Sequence, residues 1–281
     1  MNQLLMDFIT KNLYDIGKLL KEQIIVGEHR YIDDSKYDRY ANHKILSLLL
    51  PNLLSILNTS EMLVISEEAD KPYIVDVNMH IKYPDNISAY PGWVLVLDPI
   101  CGSTQYIRGI ADYVISVGII NNLNSVISAV YQPNLDELFY AEKGHGVYLN
   151  GRSIDTMSTI DNLEMSFLSI EHRVYREAPQ QDMQNIVKKA KRLRTAGTCS
   201  LEMCYVACGR LDGLIKLNQS FYDYLPGSLF ILESNPNNTL VKLDGITPIF
   251  PIKKLNRKTS FLATNGIITS ELASYTKSWN K

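Results

Sequence analysis

Cysteine is scarce, with four residues in 281, too few for a disulfide scaffold. Neither sign of charge dominates. Twenty-eight Lys and Arg stand against 30 Asp and Glu, a net of −2, so nothing draws the whole chain to nucleic acid or to an anionic membrane. No apolar run is long enough to span a bilayer. The richest, Ile45 to Leu57, is short and contains Pro51, and reads as a buried helix with a proline break. Residues Met1 to Asp7 lack a basic segment, an apolar run and a small-residue cleavage site, so the expectation is a cytoplasmic protein without a secretory signal. Repeats, low-complexity tracts and long linkers are also missing. What is present is apolar material: 46% hydrophobic against 21% charged residues excludes a disordered chain, and the length suits about two lobes.

Leu5, Ile9, Leu13, Ile16 and Leu20 recur at helical spacing with Lys11, Asp15, Lys18 and Lys21 between them, which predicts an amphipathic helix over residues 1–25. A polar segment, Glu28 to Asp38, precedes a second helix from about Tyr40 to Leu57. Met62 to Ile65 and Trp93 to Leu97 are short apolar runs that end in Ser66-Glu67-Glu68 and Asp98-Pro99; both read as buried strands. Further strands are expected at Tyr113–Ile120, Val126–Tyr131, Glu137–Ala141 and Val147–Leu149, separated by Asn-rich turns and closed by Asn150-Gly151. Beyond that point strand and helix signals alternate, at Phe167–Ile170, Asp182–Lys191, Ser200–Cys208, Gly213–Leu217 and Tyr224–Glu233. The expected division is an N-terminal lobe, 1–150, and a C-terminal lobe, 151–281, sharing an interface. The basic run Lys188 to Arg194 reads as a solvated helix end. Cys204 and Cys208 read as thiols of a core helix, since further metal ligands at suitable spacing are absent nearby.

Three segments carry acids at the edges of apolar runs: Ile65-Ser66-Glu67-Glu68, Leu97-Asp98-Pro99-Ile100-Cys101-Gly102-Ser103-Thr104, and Phe221-Tyr222-Asp223-Tyr224-Leu225-Pro226-Gly227. Carboxylates in such places need a cation or several donors. Hard oxygen ligands suit magnesium, which would also hold and neutralise a phosphate. Together the three segments resemble the signatures of the inositol monophosphatase superfamily of magnesium-dependent phosphatases. Its Asp-Pro-Ile/Leu-Asp-Gly-Thr element is similar to Asp98–Ser103, its Glu-Glu pair to Glu67-Glu68, and its Trp-Asp-x-x-Ala-Gly element to Tyr222–Gly227. Tyr113–Ile119, Gly144–Val147, Arg194–Thr198 and Gly209–Asp212 follow in matching order, so the resemblance covers nearly the whole chain.

The resemblance implies an α+β fold of α/β/α/β/α layers, with the site in the cleft between two closely packed lobes. It implies a first metal held by Glu67, Asp98 and the carbonyl of Ile100, and a second held by Asp98, Asp223 and the position of Cys101. Ser103, with an upstream Asp placed at Asp38, would orient the attacking water beside Glu68, and the amides of Gly102, Ser103 and Thr104 would meet phosphate oxygens. The substrate ring would lie near Gly197, Thr198, Lys216, His172 and Arg173. The implied activity is hydrolysis of a phosphate monoester on a small sugar, inositol or nucleotide metabolite. Mg2+ is the implied cofactor, with Mn2+ as an alternative. A homodimer is the implied assembly, and neither nucleic acid nor membrane is expected as a partner.

Two positions depart from the family pattern. Cys101 stands where a carboxylate is expected, and a thiol is a poor magnesium ligand that is mostly protonated near neutral pH. The second metal should weaken. A slower phosphatase, use of a softer metal, and a non-catalytic protein that binds a phosphorylated ligand all remain open. Lys216 stands where inositol monophosphatases carry an acid that accepts from substrate hydroxyls. Either it reads a second anionic group on the ligand or it points to solvent from a strand end.

Overall fold

A computed structural model describes residues 3–23, 35–154, 158–255 and 257–279. The polar segment expected from Glu28 lies mostly outside them. Two long helices open the chain, α1 (Gln3–Gln23) and α2 (Ser35–Ile56). The second runs unbroken through Pro51; one missing N–H is tolerated because the helix packs along its length on a sheet.

That sheet has nine strands: β1 (Glu61–Ser66), β2 (Tyr73–Asp76), β3 (Ile81–Lys82), β4 (Trp93–Cys101), β5 (Val114–Asn121), β6 (Asn124–Gln132), β7 (Glu137–Glu142), β8 (Gly146–Leu149) and β9 (Arg152–Ser153). The order is β3-β2-β1-β4-β5-β6-β7-β8-β9. Among the described residues of this sheet only β1 and β4 pair in parallel, Ser66 opposite Leu97; a short helix, α3 (Ser103–Ile107), follows β4. The second sheet contains β10 (Phe167–Ile170), β11 (Arg192–Arg194), β12 (Gly213–Gln219), β13 (Thr239–Val241) and β14 (Thr259–Thr264), in the order β11-β10-β12-β14-β13. Five helices accompany it: α4 (His172–Glu177), α5 (Gln180–Lys189), α6 (Cys199–Ala207), α7 (Phe221–Ser234) and α8 (Thr269–Thr276).

The pleat sorts side chains into layers, since successive residues of a strand face opposite sides. Met62, Val64, Leu95 and Leu97 join Leu13, Leu20, Leu49 and Leu53 of α1 and α2. Their neighbours Leu63, Ile65, Val94 and Val96 point the other way, into a cluster with Leu201, Leu225 and Leu229 of α6 and α7 and with Leu214 and Phe261 of the second sheet. Ile215 and Leu262 turn to that sheet's outer face and meet Val174, Ile186 and Leu272. The layers are therefore α/β/α/β/α, with α6 and α7 between the sheets. Those two helices touch closely because Gly227 has no side chain: a Cβ there would sit 2.8 Å from Met203 Sδ and 3.1 Å from Ser200 Cα.

The basic run Lys188–Arg194 is not a single helix end. The helix stops at Lys189, and Arg192–Arg194 forms the edge strand β11, with Arg194 paired to Asp112 at 3.1 Å. Alternation is too short to be legible over three residues. Cys204 is buried in α6, and Cys208 caps that helix half-buried.

Candidate active site

β1 and β4 run parallel and end together, so the residues just beyond their C-terminal ends are neighbours. The Glu67 amide donates to the Leu97 carbonyl at 3.2 Å, which carries the pairing one step past β1 and sets Glu67 beside Asp98. Pro99 then disturbs the strand. Between Asp98 and Cys101 β4 holds one residue more than β5, a bulge of the kind that re-aims groups near sites. Asp223 arrives from the other side of the cleft. It is the third residue of α7, in a capping box with Ser220 whose amide donates to Asp223 Oδ2 at 3.1 Å. That bond fixes the carboxylate's direction.

One oxygen each of Glu67, Asp98 and Asp223 lie within 4.8 Å of one another. Asp98 is 1% exposed, and neither of its oxygens accepts a hydrogen bond of ordinary geometry among the described residues. Burial first, then the charges of Glu67 and Asp223, push its carboxyl well above the usual range. Asp223 is pushed up to about 6, again chiefly by burial, against the pull of the Ser220 amide, Lys216 and Arg173. Three converging carboxylates, one of them buried without a donor, fit a divalent cation bound by hard oxygens.

The turn after β4 forms the adjoining floor. Gly102 precedes α3 with φ 94° and ψ 43°. A Cβ there would be strained by conformation and would strike Thr198 Cγ2 at 2.5 Å and the Asp112 carbonyl at 2.9 Å. Ile100, Cys101, Gly102, Ser103 and Thr104 all line the cleft, as do Gly197, Lys216, His172 and Arg173. Thr198 does not: it is wholly buried behind the wall, its methyl packed toward Gly102, so the side chain expected at the substrate serves packing. Asp38 is buried on the first turn of α2. Asn42, one turn on, accepts from Ser66 Oγ at 2.7 Å, which puts that end of α2 beside the end of β1. Glu68 is half-buried next to Glu67.

Cys101 is 4% exposed. Burial, then Asp98 and Asp223, raises its thiol well above its ordinary value, so it stays protonated. It is not among the groups whose ligand atoms lie close enough to hold one ion together with Glu67, Asp98 and Asp223.

Lys216 corrects the sequence reading on both counts. It is 1% exposed, so it does not point to solvent, and its Nζ donates to Glu202 Oε2 at 2.6 Å, so it is not a free cation awaiting a second anion. Glu202 also accepts from Ser169 Oγ and the Ala196 amide. His172 and Arg173 both turn toward Glu171, at 3.7 and 3.4 Å. Glu171 is itself 6% exposed and takes the Leu217 amide at 3.3 Å. Sequence reasoning missed Glu171, although it closes the apolar run Phe167–Ile170 as Glu67 and Asp98 close theirs. Gln105, Cys199 and Gln219, also in the cleft, give no sequence signal.

A family model described as the inositol monophosphatase family matches residues 57–278. An inositol monophosphatase 2 of Solanum lycopersicum is 32% identical over 150 residues, 51% of this chain and 56% of the relative. An inositol monophosphatase of Dictyostelium discoideum is 35% identical over 150 residues, 51% and 54% of the two. The chain thus spans about half the length of the curated relatives it matches. The solved inositol monophosphatase II of Staphylococcus aureus superposes with a TM-score of 0.77 over 98% of this chain and 96% of that one. At 22% identity that likeness speaks for the fold.

Proposed function

The chain belongs to the inositol monophosphatase family, and from that premise we propose that it hydrolyses the phosphate monoester of a small hydroxylated metabolite, aided by magnesium. The observation that carries this reading is Asp98, buried with no hydrogen bond of ordinary geometry among the described residues, between Glu67 and Asp223 at the floor of an open cleft. A divalent cation held there would polarise the phosphoryl oxygens.

The chain's own residues do the rest. Glu67, Asp98 and Asp223 would hold the cation that the phosphate meets, and Ile100, inside the bulge, lines the same cleft. The turn at Gly102–Thr104 directs N–H groups that precede the first helical bond, so they are open to a phosphate oxygen. The Ser103 hydroxyl would orient a water, and a carboxylate, Asp38 or Glu68, would take its proton. Cys101 lines the same cleft beside Asp98, and Glu67, Asp98 and Asp223 are the residues that would hold the cation.

On the substrate side Lys216 is already neutralised by Glu202, and Arg173 leans on Glu171. A ligand with a second anionic group would have to displace one of these pairs, whereas a neutral polyol body can donate to Glu171. Phosphate release from sugar, inositol and nucleotide monophosphates and from bisphosphates, with magnesium or manganese, tests the reading. Release from a polyol monophosphate is expected. No release from any compound with either metal would refute it.

A further inference from the structure

Between Asp244 and Glu271 the chain contains no acid, yet it carries Lys253, Lys254, Arg257 and Lys258. Folding brings three of these to one place. Lys253, Lys254 and Arg257 line a cleft of about 80 Å³ together with Lys242, Tyr224 and Thr259. Among the described residues no ion pair reaches any of the four cations. The nearest acid in sequence, Asp244, accepts from the Ile246 and Thr247 amides and the Thr247 hydroxyl and lies within electrostatic reach of Lys242, but no ion pair joins it to Lys253, Lys254 or Arg257. Four cations around one concavity, in a chain whose net charge is −2, repel one another unless an anion joins them. Lys253, Lys254 and Arg257 are exposed and share one small hollow with Lys242, which suits a compact ligand better than a nucleic acid or a membrane.

We propose that this cleft binds a small soluble polyanion, one bearing two adjacent phosphate groups or their equivalent in charge. The site is separate from the carboxylate cleft but stands behind its wall. Tyr224 follows Asp223 on α7 and donates its hydroxyl to the Arg257 carbonyl at 3.4 Å, and Thr259 pairs with Gln219, which lines the carboxylate cleft. The proposal does not rest on phosphatase activity.

Calorimetric titration of the full chain with inorganic pyrophosphate, in a chelator that keeps metal out, reads the site directly. Wild-type protein should show saturable binding. Lys254→Gln with Arg257→Gln should weaken it about ten-fold, as expected when two partly exposed charge contacts are lost. Lys253→Gln with Lys254→Gln, which keeps the Arg257 guanidinium, should weaken it by a similar factor. Lys188→Gln with Lys191→Gln removes the same charge from the other basic run and should change the affinity less than two-fold. Thermal melts matched to wild type confirm that the variants fold. Equal loss in the Lys188 and Lys191 control, no saturable binding by wild type, or binding only to vesicles of anionic phospholipid would each overturn the assignment.

Discussion

At 1% exposure and with no hydrogen bond of ordinary geometry to either oxygen among the described residues, Asp98 is a source of repulsion in the metal-free protein and would be a ligand in the loaded one. Asp98→Asn should therefore abolish magnesium-dependent phosphate release while raising the melting temperature of the metal-free chain. Glu67→Gln should abolish release with little effect on folding, since Glu67 is exposed. Assays of phosphate release paired with melts in chelator check both. Full activity in either variant would remove the cation from this cluster. Asp223 makes a pH prediction. Its carboxyl is raised to about 6, above the roughly 3.9 of an unfolded Asp. The native state thus holds the proton more tightly, a contribution fully present below about pH 4 and lost as pH rises through 6. Relative to Asp223→Asn, metal-free wild type should lose about 3 kcal/mol across that window, and magnesium should restore it. Denaturant unfolding in chelator at several pH values measures the gap; a gap that does not change with pH would exclude Asp223 as its source.

The elements explain why these residues meet. Two parallel strands that end in register deliver Glu67 and Asp98 together, and a helix N-terminus delivers Asp223 already oriented by its capping box. The same logic places Lys216 of β12 against Glu202 of α6, both 1% exposed. The lysine remains charged: burial alone would lower its pKa, but Glu202 and Cys199 outweigh burial and raise it. Lys216→Met would leave Glu202 buried beside a methyl group and should cost about 3–5 kcal/mol. Adding Glu202→Gln should recover most of that loss. A double-mutant cycle by chemical denaturation reads the coupling, and additive losses would show that the two side chains are not partners in solution.

In the whole molecule the largest core cluster draws on both sheets: Leu63, Val96 and Phe139 from the first, Leu214, Phe261 and Ala263 from the second, with α6 and α7 between. Either half alone would expose that layer. The full chain should unfold in one calorimetric transition, and a fragment ending near residue 153 should show no cooperative melt. Two separable transitions would mean that the sheets are independent. The cleft depends on this arrangement, because Glu67 and Asp98 belong to the first half of the chain and Asp223 to the second.

Local pattern determined much of this protein. Short unbroken apolar runs placed β1 and β4, apolar stretches between Asn-rich turns placed β5 and β6, helical spacing placed α1, and acids at the ends of apolar runs marked Glu67, Asp98 and Asp223, because local burial pattern and the cost of a buried charge are written in neighbouring residues. Strands of two or three residues, such as β3, β9 and β11, carry too little alternation to be read, and β14 was hidden by the Ser, Thr and basic residues at its start. Tertiary structure alone decided the rest. Glu202 lies 14 residues from Lys216, and only the packing of α6 on β12 turned an apparent substrate reader into half of a buried ion pair. Thr198 was drawn behind the cleft wall by the glycine it packs against. The cations of the 253–257 segment became a cleft only when Tyr224 and Lys242 closed its sides. In each case the partner is distant in sequence, and a contact made by folding has no period to announce it.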